Sequence, residues 1–299
     1  MNQAAAVSND PHEESTPALS RVQFWGLMIL SALAYFATSL ITQFVGYFTE
    51  PGFNSSILMD PRKVVLVILT IIWIALVGGV ATFVGRFIRP DAGLFVAAAA
   101  LWSLRRSGGM ARDVYLAHPT GSTFISLAIE LVILGLILGF VFFLTRQLVA
   151  KGKIPDDADI DLIRPRSEPL GQRLLATATT ALVMMVLLLL TLRSDERMQV
   201  TGMVFVSALL ATMSTVRFIP ATPSIYFWAG PIVVGIVGYL ASSVRGTGNL
   251  PIGDVAGYFG ALARAMPLDY ASAGVAGSLY GYWVARGWIP EDALEAEKA

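Results

Sequence analysis

The residue best placed to do chemistry is Glu130, a carboxylate inside the apolar run TFISLAIELVILGLILGFVFFLTRQLV, which extends from Thr123 to Val149. About 20 helical residues cross the hydrocarbon of a bilayer, so this run is long enough to span one. Glu130 sits about six residues inside it, roughly 9 Å along at 1.5 Å per residue. A charge near the bilayer centre costs about 2.5–3.5 kcal/mol on insertion scales, so a carboxylate there is expected to face protein or water. It would serve as a proton or cation relay, or as the counter-charge of a substrate. The plainer reading is a packing carboxylate, protonated or paired with an arginine. Thr123, Ser126 and Glu130 share one face, with Gly135 and Gly139 roughly 140–180° around it at 100° per residue. That arrangement gives the helix two protein-facing sides and predicts a place at the centre of a bundle.

Other chemistries have little to build on. The 299 residues include no cysteine, which removes disulfides, thiol nucleophiles and iron–sulfur ligation together. The two histidines, His12 and His118, lie outside the apolar runs, so a membrane-embedded haem or zinc site is not expected. Walker A, GxSxG and HExxH motifs are absent, and Gly246-Thr247-Gly248 is a lone GxG without a strand–turn–helix context. Glu130 is the one carboxylate read as deep in an apolar run, whereas general acid–base catalysis usually pairs two groups. The expectation is therefore no enzyme, no catalytic residue, no cofactor and no metal. A formal net charge of zero gives no field for nucleic acid.

The elements that must position Glu130 follow from composition. With 55% hydrophobic and 14% charged residues and a mean hydropathy of +0.66, the chain is too apolar for an ordinary soluble domain. Apolar runs follow one another closely and predict an all-α, polytopic transmembrane bundle of about eight spans without a soluble domain. The expected organisation is a disordered polar tail (1–23) and a first half of four spans (24–148). A charged cytoplasmic linker (149–173) leads to a second half of four spans (174–288) and a short polar tail (289–299). The third span is doubtful: AGLFVAAAALWSL offers about 13 apolar residues, a length more often short or re-entrant. Arg89-Pro90-Asp91 reads only as its start, as Asp60-Pro61 does for the second span. Gly230-Pro231 predicts a kink in the seventh.

The last span has a signal of its own. Ala273, Gly277, Gly281 and Ala285 recur every four residues, the small-residue spacing by which membrane helices approach closely. This face is a candidate packing surface, toward other membrane subunits or a second copy of the chain. Tyr280, Tyr282, Trp283 and Trp288 suit an interface belt at its far end. Arg146, Lys151, Lys153, Arg164, Arg166 and Arg173 place the long linker inside under the positive-inside rule, and eight spans then put both termini on the cytoplasmic side. Arginines expected on the opposite side with the Glu130 end of its helix are Arg105, Arg106, Arg112, Arg193, Arg197, Arg245 and Arg264, together with Asp269. An integral protein of a bacterial inner membrane is the expected setting. The expected role is a non-enzymatic subunit or scaffold of a membrane complex. The competing expectation is a small transporter or channel using Glu130.

Overall fold

The computed structural model describes residues 21–45, 73, 77–85, 88, 90–107, 120–151, 170–193, 196–219, 223–245 and 260–288. The expected N-terminal tail up to residue 20, the linker core 152–169 and the C-terminal tail 289–299 lie outside the described residues. Every regular element among the described residues is helical. They are α1 (Arg21–Val45), α2 (77–85), α3 (Pro90–Ser107), α4 (Gly121–Lys151), α5 (Leu170–Thr191), α6 (Arg197–Phe218) and α7 (Ile225–Arg245). A 3-10 turn (Ala261–Arg264) leads to a helical turn (Pro267–Asp269), a π-helical turn (Tyr270–Gly274) and an α-helix (Val275–Trp288). The last three join without a break and are treated as one helix, α8 (267–288). Four stretches, Gly121–Leu148, Leu170–Thr191, Arg197–Phe218 and Ile225–Val244, are long and apolar enough to cross a membrane.

Glycine contacts fix the helix directions. Gly277 and Gly281 meet Phe205 and Leu209 in that order, so α8 runs parallel to α6. Gly135 meets Ile232 and Gly139 meets Trp228, so α4 runs antiparallel to α7. Thr177 bonds the Tyr226 carbonyl and Thr180 touches Gly230, which makes α5 parallel to α7. Asp91, in the first turn of α3, meets Trp283 near the end of α8. The starts of α3, α5 and α7 therefore gather at one end of the bundle with the ends of α4, α6 and α8.

The helix at the centre is α8, which corrects the expectation for α4. Nearly every described side chain from Leu262 to Tyr282 is buried. On α4, by contrast, Ile125, Ile129, Leu136, Phe140 and Phe143 form an exposed apolar face, while Leu127, Leu131, Leu134 and Leu138 face the core. The reason lies in side-chain size. Small residues cover α8 all round (Ala271, Ser272, Ala273, Gly274, Ala276, Gly277, Ser278), so neighbours can close on it from every side. The bulky residues of α4 admit partners on part of its circumference only.

The doubtful third segment is a single 18-residue helix, Pro90–Ser107, whose apolar stretch Asp91–Leu104 is shorter than the four spanning candidates. Its residues Asp91 to Ala98 are all buried, as its Ala-rich middle suggests, and Gly93 lies against the Ala81 carbonyl of α2. Helix α1 packs on α3, with Tyr35 edge-on to Trp102, and keeps Trp25, Ile29, Leu33, Phe36 and Leu40 exposed.

Candidate functional site

Among the described residues three carboxylates are buried, not one: Asp91 is 1% exposed, Glu130 3% and Asp269 0%. The premise that Glu130 stands alone is thereby corrected. The burial of Asp91 and Asp269 is not anticipated by the sequence because each sits at a helix start, where an acidic residue is ordinary N-terminal chemistry.

Asp269 closes the first turn of α8. One oxygen, Oδ2, reaches back to accept from the Met266 N–H at 2.8 Å, satisfying one of the orphan donors of a helix N-terminus. The other, Oδ1, accepts from the Thr201 hydroxyl at 2.7 Å and so joins the start of α8 to α6. Two tyrosines hold the chain that enters this turn. The Tyr239 hydroxyl donates to the Ala265 carbonyl at 2.5 Å, and the Tyr270 hydroxyl donates to the Leu262 carbonyl at 2.7 Å. Their rings meet edge to face, 6.3 Å apart. Arg264 donates to the Leu192 carbonyl at 3.3 Å, beyond the end of α5, where a cation complements the helix C-terminus.

Asp91 does the corresponding work at the other end of α8. Its Oδ2 accepts from the Trp283 indole N–H at 2.8 Å, and the Trp283 ring packs on Phe95 with centroids 5.2 Å apart. Tyr282 and Trp283 therefore lie within the bundle, Tyr282 buried and Trp283 partly so, rather than in an outer aromatic belt. Helix α8 is clamped to α6 at its start and to α3 near its end.

Between the clamps, the small residues of α8 lie against backbone. A Cβ on Gly277 would overlap the Phe205 carbonyl, and one on Gly281 would lie 2.5 Å from the Leu209 carbonyl. Ala273 and Ala285, the outer members of the same series, are also buried. This face is occupied by α6 of the same chain, so a partner would have to use another surface. The π-helical turn follows Asp269 directly; the Val275 N–H reaches the Tyr270 carbonyl, five residues back.

Glu130 lies on α4 at the level of the α8 start. The side chains of its neighbour Leu131 and of Tyr270, the neighbour of Asp269, both crowd the position a Cβ on Gly235 would take. Thr123 and Ser126, expected on the Glu130 face, make local bonds instead: Thr123 accepts from the Thr120 N–H at 3.1 Å, and Ser126 donates to the Ser122 carbonyl at 3.0 Å. On the opposite flank, Gly135 and Gly139 admit Ile232 and Trp228 of α7.

Charge is unevenly divided between the two halves. Among the described side chains, the half holding the end of α8 carries Arg146, Arg173, Arg217 and Arg286 against one carboxylate, Asp91. The half holding its start carries Arg193, Arg197 and Arg264 against Glu130, Glu196 and Asp269. Among the described residues no group of three or more histidine, cysteine or acidic side chains is arranged to hold a metal ion. Comparison with protein-family models, with curated proteins and with solved structures gives no match.

Proposed function

We propose that the chain is a multi-pass integral membrane protein of a bacterial inner membrane, acting as a non-enzymatic structural subunit of a membrane complex. Support for the membrane begins with the four long apolar helices and continues with the exposed Ile, Leu, Val and Phe on α1, α4 and α5. Such a surface is stable against acyl chains and unstable against water. The orientation follows the arginines: the half with Arg146, Arg173, Arg217 and Arg286 faces the cytoplasm, together with the linker and both termini.

The observation that carries the structural role is the clamped, glycine-lined seat of α8. Asp269 and Asp91 are engaged in joining α8 to α6 and to α3, and Gly277 and Gly281 bring α8 into backbone contact with α6. This is the construction of a rigid frame. A second reading, transport, draws on a different observation: Glu130 lies inside α4 at the level of Asp269 and the π-helical turn, and turns of that kind often accompany function.

Extraction of native membranes in a mild detergent tests the role. The expected particle has a mass several-fold above the 32.1 kDa of the chain and contains other polypeptides in fixed ratio. A particle holding one chain alone contradicts the subunit reading.

A further inference from the structure

Helix α8 begins deep inside the bundle, not at its rim. Gly121 opens α4 against the Ser243 carbonyl, so α4 starts level with the end of α7 at Arg245. Leu262 lies against Gly238, about 10 Å down α7 from that end at 1.5 Å per residue. Tyr270 lies against Gly235, about 15 Å down. The segment 260–265 therefore runs inside the bundle, between α7, the end of α5 and the start of α8. Its backbone is a single 3-10 turn with extended conformations on either side, at Gly260 and Ala265. Leu262, Ala263 and Ala265 are buried. Non-helical backbone at such a depth is tolerated where protein buries it or where it lines a water-filled cavity.

We propose that segment 260–265 is a removable plug, whose release opens the bundle from the end where α7 finishes down to Leu131 and Tyr270. The bonds described for it can part without unwinding a helix. The Tyr270 hydroxyl donates to the Leu262 carbonyl at 2.7 Å, the Tyr239 hydroxyl to the Ala265 carbonyl, and Arg264 to the Leu192 carbonyl at 3.3 Å. The seat on α7 is flat, because Gly238 has no side chain to interlock with Leu262. A hinge is in place at the other end. Asp269 accepts from the Met266 N–H at 2.8 Å, so the start of α8 stays capped when 260–265 withdraws. A segment held by side chains rather than by a regular backbone ladder belongs to the low end of local stability. Beneath it, the side chains of Leu131 and Tyr270 meet at Gly235. Glu130 precedes Leu131 on α4, so the opened path ends at the level of that carboxylate. The plug follows from the bundle geometry and needs neither functional reading above. The α6–α8 seat at Gly277 and Gly281 stays in place when it moves.

Cysteine reporters in the full chain, purified in detergent, test the plug, since the chain has no cysteine of its own. Leu131→Cys sits beneath the plug. Leu138→Cys, about two turns further along α4, is the control; the two leucines are 0% and 1% exposed. Each is treated with a charged thiol reagent in the wild-type background and in Y239F/Y270F, which keeps both rings and deletes both hydroxyls. With the tyrosines intact, both cysteines are expected to be protected. In Y239F/Y270F, Leu131→Cys is expected to label at least about tenfold faster, the scale of two hydrogen bonds in an opening equilibrium, while Leu138→Cys stays protected. Unchanged protection of Leu131→Cys overturns the plug. An equal rise at both positions also overturns it, because the tyrosines would then support the whole bundle. Fast labelling of Leu131→Cys with the tyrosines intact overturns it too, since the segment would not be closing the path. If the double variant does not fold, Tyr270→Phe alone is read. A several-fold rise confined to Leu131→Cys is then expected, and no rise overturns the proposal.

Discussion

The carbonyl oxygen of Phe205 occupies the space in which Gly277 would carry a Cβ. The obstruction is backbone, which cannot rotate aside as the end of a flexible side chain can. Gly277→Ala is therefore expected to destabilise the protein by about 3 kcal/mol, the upper part of the overpacking range. Gly202, on α6 with open space where its Cβ would go, is the contrast. Gly202→Ala is expected to stabilise by about 0.5–1 kcal/mol, because alanine is the better helix former. Thermal unfolding in one detergent, read for both variants, checks the pair. Equal shifts in the same direction would contradict the packing described for α6 and α8.

Asp269 and Thr201 are predicted to be energetically coupled. Thr201→Val removes the 2.7 Å hydrogen bond and leaves a buried carboxylate oxygen with one contact fewer, at a cost of about 1.5–3 kcal/mol. Asp269→Asn keeps the shape but alters the acceptor. A double-mutant cycle is expected to give a coupling energy of about 1–2 kcal/mol, well outside the additivity found for distant sites. Additive effects would show that the two helices are not held through this bond.

At the other end of α8, Trp283→Phe keeps an aromatic ring against Phe95 and deletes only the N–H that Asp91 accepts. The expected loss is again about 1.5–3 kcal/mol. The substitution is expected to cost less when Asp91 is already asparagine, because the bond it removes is then no longer one to a charged group. Chemical unfolding of the two single variants and the double variant measures this directly.

Orientation is open to a simple chemical test, since the chain has no cysteine of its own. Single cysteines replacing Arg193 and Arg217, both exposed and at opposite ends of the bundle, are expected to label from opposite sides of the membrane. The cysteine at position 217 should react only when the cytoplasmic side is open. Labelling of both from one side would break the helix directions deduced from the glycine contacts.

Length and hydropathy made most of the helices legible. The apolar run 123–149 becomes Gly121–Lys151, and the final helix spans 267–288 as expected. The helix at the centre was not legible in the same way. Helix α4 is apolar all round, and the same residue types lie on both sides of it, with Leu136 exposed and Leu138 buried. A sequence of that kind has no stripe to distinguish protein from surroundings. The signal for α8 was present but only partly used. Attention to the series Ala273, Gly277, Gly281 and Ala285 missed that Ala271, Ser272, Gly274, Ala276 and Ser278 leave the remaining faces equally bare. Asp91 was readable as a helix start. Its burial depends on Trp283, 192 residues away, and no local pattern carries that information.

If the chain is the non-enzymatic subunit proposed above, the bundle interior around Glu130 is expected to be dry, and the most direct measurement places a single cysteine at Leu134. This residue lies one turn from Glu130 on the same face and is buried. A charged, membrane-impermeant thiol reagent is then applied to the folded protein with Glu130 intact. The account predicts no labelling until the protein is unfolded. Rapid labelling that a small solute blocks would contradict it, and would place a water-filled path at Glu130.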